Sequence, residues 1–366
     1  MNGLMLAFTY TLPYHVMRVA AAAGLRVHVL GTGPARGLGA SRCCRSYRET
    51  RSGDDPEVLL AEIGELVDRR RIDVVLPSDD VSTRMLAALA GRLPVRCVPL
   101  PDLATFDLLN DKWRFTRYCL ANGIRAPEVW LFDDVAGLHG ALTEGDICLP
   151  LTVKPTNRSG GVGVRHIVEP DELALLDAID YRPILAQRHV RGESVSITLL
   201  CDRGRVVAHV AQQRDAARFC VLVNKDLLDN AARLATLTGY HGVANLDAVL
   251  SAEDGLAYLV ECNPRFWYSI YLVMIAGLNF VELALAPPAA IAAPATLDQG
   301  EMRLSLRRTV VKPWQASRLD RRHAAYRLSD PVVFGLQRAK LYDDSIVAIP
   351  AEPTAAPATV RRPAAV

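Results

Sequence analysis

Short apolar runs alternate with amphipathic segments in the N-terminal part of the chain. The runs LMLAFTY from Leu4, RVHVLGT from Arg26 and IDVVLP from Ile72 are typical of buried strands. Between them, YHVMRVAAAAG and PEVLLAEIGELVDRR carry apolar residues at helical spacing, and the first of these ends at Gly24. Strands that alternate with helices favour a parallel sheet. We therefore predict an α/β domain over residues 1–107.

The middle of the chain has a different pattern, in which paired strand-like runs flank turn residues. A helix is predicted over LLNDKWRFTRYCLANGI from Leu108, and another over NKDLLDNAARLATLTGY, which ends at Gly239. Three hairpins are predicted over LPLTVKPTNRSGGVGVRHI, ESVSITLLCDRGRVVAHVAQQR and GVANLDAVLSAEDGLAYLVECNPRF. This mixture of hairpins and helices predicts α+β structure.

Composition and charge exclude several classes of protein. The 366 residues exceed the roughly 250–300 at which one core stops growing, so more than one domain is expected. The 42 basic and 40 acidic residues nearly balance, which argues against nucleic-acid and membrane partners. Eight cysteines without a C-x-x-C pair are interpreted as reduced thiols. The longest apolar tract, LALAPPAAIAAPA, is broken by prolines and no secretory pattern is seen, so a cytoplasmic protein is expected.

Two common nucleotide motifs are not found. The turn TYTLP after the first strand lacks G-x-G-x-x-G, which argues against a dinucleotide fold. The glycine-rich tip from Ser159 to Gly163 returns into a strand, whereas a Walker A loop leads into a helix. The glycines of GTGPARGLGA are interpreted as a plain loop rather than a phosphate cradle.

The third hairpin predicts a metal site. Its turn lies at Glu253–Gly255, so Asp247 and Glu261 are expected to be cross-strand neighbours. Asn263 lies two residues beyond Glu261 and faces the same side of the strand. Two carboxylates and an amide resist burial unless a cation compensates them, and such oxygen ligands favour Mg²⁺. The alternative is that these residues are solvated on an exposed strand face.

Phosphate partners of such an ion are available in the chain. Lys112 and Lys154 offer point charges, and the glycines of the tip let backbone amides approach anionic oxygens. Together with Mg²⁺ they predict a Mg-nucleotide site. The alternatives are a helix-surface charge at Lys112 and an edge-strand lysine at Lys154.

The ordered segments NDKWRF, GIRAPEVW, LTVKPTNRSGGVGV, ILAQRHVRGESVSI, GVANLDAVL and VECNPRFW resemble the ATP-grasp superfamily. The resemblance is closest to its carboxylate-amine ligases related to carbamoyl-phosphate synthetase, and LVECNPRFW is its most specific part. It implies an ATP-grasp module of two α+β subdomains behind the α/β domain. We place these subdomains at residues 108–185 and 186–290, a C-terminal extension at 291–350, and a disordered tail at 351–366.

The resemblance also implies residue roles. ATP would be bound by two lysines, a lid, an adenine strand and a ribose carboxylate: Lys112 and Lys154; Ser159, Gly160, Gly161 and Gly163; Gln187, Arg188, His189 and Val190; and Glu193. The implied magnesium ligands, of two ions, are Asp247, Glu261 and Asn263. The implied catalytic residues are Arg265, which steadies an acyl phosphate, and Lys154.

The expected function is that of an ATP-dependent ligase, which joins a small carboxylate to an amine through an acyl phosphate and releases ADP. Amino acids are candidate substrates and a homodimer is a candidate assembly. Three features depart from the family pattern: an unrecognised segment QQRDAARFCVLVNKDLL, Asn245 in place of an arginine, and the bulky Tyr268 after the NPRFW motif. The alternatives are a regulatory ATP-binding protein and an ATP-dependent carboxylase or carbamoyl-forming enzyme.

Other polar residues have simpler interpretations. Asp79 and Asp80 follow a strand, where ligands can bind, but a helix N-cap explains them more simply. His241 precedes Asp247 by six residues, and we interpret it as a packed turn residue rather than a site residue. The basic run Arg307–Lys312 is interpreted as a solvated face in preference to an anion-binding surface.

Overall fold

The computed structural model describes residues 1–53, 55–158, 161–287, 291 and 293–338. Two of the predicted lid residues, Ser159 and Gly160, lie outside the described residues. So does the predicted tail at 351–366.

The N-terminal domain is built on a four-stranded parallel sheet, as the sequence predicts. Its strands are β1 (Asn2–Ala7), β2 (Arg26–Gly31), β3 (Cys44–Glu49) and β4 (Val74–Leu76), in the order β3-β2-β1-β4. Its helices are α1 (Thr11–Ala22), α2 (Pro56–Arg70) and α3 (Asp80–Ala88). The segment Gly33–Ala40, interpreted as a plain loop, forms a 3-10 helix instead, with Ala35 and Leu38 buried.

The single helix predicted from Leu108 is wrong. The structure has two helices, α4 (Leu103–Asn110) and α5 (Lys112–Ala121), which meet at Asp111. The Asp111 side chain accepts a hydrogen bond from the Arg114 backbone amide at 2.8 Å and so caps α5. Lys112 therefore lies at the first position of a helix rather than within one. The predicted boundary between residues 107 and 108 falls inside α4.

A four-stranded antiparallel sheet follows. It contains β5 (Val129–Phe132), β6 (Leu151–Pro155), β7 (Arg165–Ile167) and β8 (Ile184–Arg188), in the order β5-β8-β6-β7, with α6 (Val135–Thr143) beside it. The pairing of β6 with β7 confirms the predicted hairpin with the glycine-rich tip. The predicted subdomain boundary between residues 185 and 186 divides β8, which belongs wholly to this sheet.

A six-stranded antiparallel sheet forms the other half of the module. Its strands are β9 (Gly192–Asp202), β10 (Arg205–Arg214), β11 (Arg218–Leu222), β12 (Gly242–Ser251), β13 (Ala257–Asn263) and β14 (Glu301–Arg303), in the order β13-β12-β9-β10-β11-β14. The helices are α7 (Lys225–Thr238), α8 (Ile270–Ala276) and α9 (Phe280–Leu285). The β9–β10 and β12–β13 pairings confirm the other two predicted hairpins. The unrecognised segment supplies β11.

The C-terminal extension packs against the first domain. It contributes β14 and the helices α10 (Leu306–Val311), α11 (Arg318–Leu328) and α12 (Pro331–Arg338). Its buried residues Met302, Tyr326 and Val333 belong to the same apolar core as Tyr14 and Met17 of α1. The described part of the extension and the start of the chain thus share one core. Within the described residues, no helix is both long and apolar enough to cross a membrane.

Candidate functional site

The β12–β13 hairpin places its acidic residues as the sequence predicts. Asp247 lies directly opposite Glu261, and Asn245 lies opposite Asn263. The pairing shifts by one residue between Asp247 and Ala248, which is the signature of a β-bulge. The extra residue is Val260, and its carbonyl oxygen accepts a hydrogen bond from Lys154 Nζ at 3.2 Å. The bulge therefore links the hairpin to the neighbouring sheet.

The Asp247 carboxylate is held from both sides by amides. Asn245 Nδ2 donates to its Oδ1 at 3.1 Å and Asn263 Nδ2 to its Oδ2 at 3.3 Å. Thr198 Oγ1 fixes Asn245 in turn, at 2.9 Å from its Oδ1. Burial, together with the facing Glu261 carboxylate, raises the pKa of Asp247 to about 7. The two carboxylates therefore resist being charged together unless a cation joins them.

Two buried lysines approach this pair. Lys112 Nζ lies 3.4 Å from Glu261 Oε2 and donates to the Arg158 carbonyl oxygen at 2.7 Å. Lys154 Nζ donates to Gln187 Oε1 at 2.8 Å. Each lysine is only 5% exposed, which rules out the helix-surface and edge-strand interpretations. Burial lowers the pKa of Lys154 to about 8, so this ammonium lacks full compensation.

Arg265 follows β13 and lies beside the side-chain amide of Asn263. Its Nη2 donates to Asn263 Oδ1 at 3.0 Å, and its Nη1 donates to the Phe266 carbonyl oxygen at 2.9 Å. Its guanidinium also forms an ion pair with Asp80 of the N-terminal domain. Burial lowers the pKa of Arg265 to about 10. The phosphate end of the predicted site is thus tied to the first domain.

Asp79 and Asp80 have separate roles. Asp79 is the N-cap of α3, as the simpler interpretation predicts, and accepts a hydrogen bond from the Ser82 amide at 2.9 Å. Its other oxygen accepts from the amides of Phe8 and Thr9 at 2.6 and 2.9 Å, which fixes the end of β1. Asp80 instead reaches Arg265. Sequence reasoning missed this contact because Asp80 and Arg265 are close to each other only in the fold.

The acidic residues, Asn263 and Arg265 line one cavity of about 560 Å³, whereas Lys112 and Lys154 are not among its lining residues. Its walls come from the N-terminal domain, the lid and the module, and include Asp80, Gly161, Asp247, Glu261, Asn263 and Arg265. Tyr268 forms part of the wall and is 40% exposed. The Arg214 guanidinium lies 4.7 Å from the centre of the Tyr268 ring, and His15 meets the ring edge-on. Tyr268, at which the sequence departs from the family pattern, thus lies in the wall of the cavity.

The described part of the lid begins at Gly161. Gly161 and Gly163 have φ values of +75° and +83°, in the left-handed region that favours glycine. Tyr181 packs on the second of these, and its hydroxyl donates to the Gly163 carbonyl oxygen at 2.8 Å. A Cβ atom at residue 163 would lie 2.9 Å from the Tyr181 ring. The predicted lid is thus anchored at Gly163 and reaches the cavity at Gly161.

None of the four predicted adenine residues lines this cavity. Gln187 is buried against Lys154, and its Nε2 has no hydrogen-bond partner among the described residues. Arg188, His189 and Val190 line a second cavity of about 520 Å³. Arg188 forms an ion pair there with Glu128 at 2.6 Å. Only Gln187 of the four therefore joins the lysines directly.

Other predicted positions lie outside the cluster. Glu193 is exposed and accepts a hydrogen bond from Gln213 at 3.4 Å. His241 lies 3.4 Å from Asp202, next to the β9–β10 turn and outside the lining of the first cavity. The basic side chains of Arg307, Arg308 and Lys312 are exposed, in agreement with a solvated face.

The donor set fits Mg²⁺ and a nucleotide. In the described parts of the chain, no three His, Cys, Asp or Glu side chains cluster as a metal site. An ion between Asp247 and Glu261 would therefore need the Asn263 amide oxygen and oxygens from a ligand, which is the arrangement Mg²⁺ takes with phosphates. The buried ammonium groups and the unpartnered Gln187 Nε2 offer complementary contacts to such a ligand.

Comparison with known proteins agrees with this geometry. Residues 180–307 match the family described as "ATP-grasp in the biosynthetic pathway with Ter operon". The chain is 24% identical over 203 residues to a D-alanine–D-alanine ligase of Nitrosospira multiformis, covering 49% of this chain and 65% of that protein. It is 29% identical over 218 residues to the carbamoyl phosphate synthase large chain of Deinococcus radiodurans, covering 53% and 20%. The chain thus spans less than two thirds of either relative.

Solved structures share the fold. An L-amino acid ligase from Bacillus licheniformis superposes with a TM-score of 0.59 at 18% identity, covering 80% of this chain and 74% of that one. The biotin carboxylase domain of a Hydrogenobacter thermophilus 2-oxoglutarate carboxylase, a dimer with MgADP and bicarbonate, gives 0.59 at 15% identity, covering 81% and 71%. The family match over residues 180–307, the relatives and the shared fold all agree with the resemblance to the ATP-grasp superfamily.

Proposed function

We propose that this ATP-grasp enzyme is a ligase that activates a small-molecule carboxylate with ATP and joins it to an amine. The observation that carries the proposal is that two cross-strand carboxylates line the cavity and two buried ammonium groups lie beside their hairpin. The charges of the carboxylates and of the ammonium groups are incompletely compensated, as the raised pKa of Asp247 and the lowered pKa of Lys154 indicate. Bound Mg²⁺ and phosphates would compensate both.

In this proposal different side chains bind the phosphates, the base and the ribose of the nucleotide. Lys112 and Lys154 bind phosphate oxygens, and Gln187 Nε2 donates to the base. Two Mg²⁺ ions, held by Asp247, Glu261 and Asn263, would neutralise charge on the phosphates. Glu193 at the ribose, and the contacts of Arg188, His189 and Val190 to adenine, belong to the same proposal.

The reaction balances without an acid–base residue in its first step. An oxygen of the substrate carboxylate attacks the γ-phosphorus of ATP, the bond to the bridging oxygen breaks, and ADP leaves. The amine nitrogen then attacks the carbonyl carbon of the acyl phosphate, phosphate departs with the acyl C–O oxygen, and the nitrogen loses a proton. Arg265 stabilises the negative charge on the acyl phosphate, because its guanidinium lies beside Asn263.

The lid keeps water from the acyl phosphate. A mixed anhydride hydrolyses in water, so the segment that includes Gly161 and Gly163 has a reason to close during the reaction. Gly161 supports this role because it already lines the cavity.

The known proteins include ligases, which support the ligase hypothesis, and a carbamoyl phosphate synthase, which keeps a carbamoyl-forming enzyme among the alternatives. One relative is named a D-alanine–D-alanine ligase and one structural neighbour an L-amino acid ligase, so amino acids are proposed as substrates. The biotin carboxylase neighbour keeps carboxylation as the second candidate, because its structure contains bicarbonate. Since that neighbour is a dimer, a homodimer is proposed for this chain also.

Nucleotide products separate these candidates. Purified protein is incubated with Mg²⁺ and ATP, with pooled amino acids and small carboxylates, and the nucleotides are resolved by chromatography. The ligase hypothesis predicts ADP that forms only when the pool is present, together with a new amide. ADP that depends on bicarbonate would indicate carboxylation. AMP would contradict the acyl phosphate, and bound ATP without turnover would favour a regulatory protein.

A further inference from the structure

The C-terminal extension carries a local excess of positive charge, which the near balance of charge over the whole chain hides. Eight basic residues and one carboxylate lie between Arg303 and Arg327, whereas the net charge of the whole chain is only +2. The single carboxylate, Asp320, is 4% exposed and accepts the backbone amides of Arg303 and Ser317 at 2.7 and 2.9 Å. It therefore serves the fold and does not neutralise the surface.

Six of these basic side chains are exposed on α10, on α11 and on the connection between the two helices: Arg307, Arg308, Lys312, Arg318, Arg321 and Arg322. None of the six forms an ion pair with a described residue. In the N-terminal domain, by contrast, the exposed arginines Arg36 and Arg92 bind Glu49 and Glu57. The charge of the extension is thus left for a partner outside the chain.

Large apolar side chains are exposed on the same part of the chain. Trp314, in the 3-10 turn between α10 and α11, is 76% exposed, and Val310 and Val311 are 58% and 59% exposed. Leu328 and Val332 are exposed as well, so the extension supplies five of the twelve exposed large apolar side chains of the described residues. A cluster of such side chains on a surface is typical of a binding site.

The basic and the apolar positions form continuous stripes on both helices. On α10 the two valines alternate with the two arginines around the helix, opposite the buried Thr309. On α11 the three arginines and Leu328 recur at helical spacing, opposite the buried His323. Because α10 packs against α11, and α11 packs with its other side on α8 and β14, the two stripes are neighbours on the outside. The six basic residues with Val310, Val311, Trp314 and Leu328 are called the basic–apolar face.

We propose that the basic–apolar face docks on a lipid bilayer that contains anionic lipids. The headgroups would compensate the basic side chains, and Trp314 with the two valines would enter the boundary between headgroups and acyl chains, where tryptophan is favoured. Attachment is from the surface, since no helix of the described residues is both long and apolar enough to cross a membrane.

Other partners fit this surface less well. Nucleic acid would compensate the charges, but it would leave the exposed valines in water. A peptide is usually bound in a groove, and the basic–apolar face lines neither of the two large cavities. A bilayer needs only a continuous outer surface. Since the face is outside the catalytic cavity, the proposal does not depend on the ligase activity.

Vesicle sedimentation tests the proposal directly. The full chain is mixed with vesicles of phosphatidylcholine alone, or of phosphatidylcholine and phosphatidylglycerol in equal parts, and the bound fraction is measured. We expect at least about tenfold tighter binding to the anionic vesicles, and weaker binding as salt is added. Equal binding to both vesicles, or binding to neither, would overturn the proposal. Tighter binding to a duplex oligonucleotide at equal phosphate concentration would assign the face to nucleic acid and would also overturn it.

Trp314 reports on insertion, because the other three tryptophans are buried or half-buried: Trp113, Trp130 and Trp267. Anionic vesicles should shift the tryptophan emission to shorter wavelength. The variant Trp314→Ala should lose this shift and bind the vesicles at least about fivefold more weakly, because less apolar area enters the bilayer. If Trp314→Ala bound as tightly as the wild type, charge alone would explain the attraction and the docking would be refuted.

A matched pair of charge variants locates the surface. The double variant Arg318→Gln with Arg322→Gln should bind anionic vesicles at least about tenfold more weakly, since each basic residue near the bilayer contributes about fivefold. The control, Arg69→Gln with Arg70→Gln, removes the same charge from the exposed end of α2, on the opposite face of the parallel sheet. It should bind as the wild type does. Equal losses in the two double variants would show attraction by net charge and contradict the proposed face.

Discussion

At the residue scale, burial decides which groups near the cavity keep their ordinary charge. Lys154 is 5% exposed, and its contacts to Gln187 and Val260 are to neutral oxygens. Its pKa is therefore about 8 rather than the usual 10.5, although Glu261 and Asp247 act in the opposite direction. A bound phosphate would stabilise the charged form and raise this pKa.

This shift predicts a pH dependence of ATP binding. Because only charged Lys154 attracts phosphate strongly, affinity should be fully present below pH 8 and lost as the pH rises through and above it. By pH 9 the affinity of the wild type should be about tenfold weaker than at pH 7.5, as measured by calorimetry. Lys154→Arg should flatten the profile, since a guanidinium stays charged. A flat wild-type profile would show that Lys154 does not meet the phosphates.

Part of the site could be predicted from residue spacing and part could not. The turn at Glu253–Gly255 places Asp247 opposite Glu261, and the structure has that pairing. The bulge at Val260 has no sequence signal of its own. The ion pair between Asp80 and Arg265 joins two domains, and no local pattern connects residues that distant in the chain.

At the scale of elements, apolar patterns predicted the strands and helices correctly where local features decide the structure. All three predicted hairpins and the helix that ends at Gly239 are present, because strand alternation and a left-handed C-cap are local features. The break between α4 and α5 was missed. Apolar positions continue across it, and the side-chain hydrogen bond of Asp111 decides the outcome.

The lid element carries its own prediction. Gly163→Ala places a Cβ 2.9 Å from the Tyr181 ring at a φ of +83°, so the anchor of the lid must move. We expect slower amide formation and a larger share of ADP that is not matched by product, because a displaced lid admits water. ADP and amide are measured in the same reaction. The control is Gly64→Ala, in the middle of α2, where an added Cβ would have no atom within 4 Å. This variant should leave the ratio of ADP to amide unchanged. If Gly163→Ala still formed one amide for each ADP, the role of the lid would be refuted.

At the scale of the whole molecule, the C-terminal extension is part of the first domain's support. Arg18 of α1 is 6% exposed and stacks on Tyr326 of α11, with its guanidinium carbon 3.5 Å from the ring centre. It also donates to the Tyr326 carbonyl oxygen at 2.5 Å and to Ser329 Oγ at 2.6 Å. The sequence shows a basic extension but not this docking, since such contacts depend on the assembled fold.

Removal of this anchor should destabilise the protein. Arg18→Ala deletes a buried stacking contact and three hydrogen bonds, one of them to the Tyr14 hydroxyl, and we expect a loss of about 2–4 kcal/mol in the free energy of unfolding. Urea denaturation followed by circular dichroism measures it. Arg26→Ala, at an exposed position of β2, is the matched control and should change stability by less than about 0.5 kcal/mol. Equal effects of the two variants would mean that the extension does not support the first domain.

The proposed function requires the paired carboxylates of the β12–β13 hairpin to hold Mg²⁺ for phosphoryl transfer to a carboxylate. The most direct measurement is ADP formation, with the substrate pool and Mg²⁺, by Glu261→Gln beside wild type and Glu282→Gln, an exposed control on α9. We expect Glu261→Gln to lose ADP formation by at least about 100-fold while it stays folded, and Glu282→Gln to match the wild type. A Glu261→Gln variant that forms ADP at the wild-type rate would contradict the account.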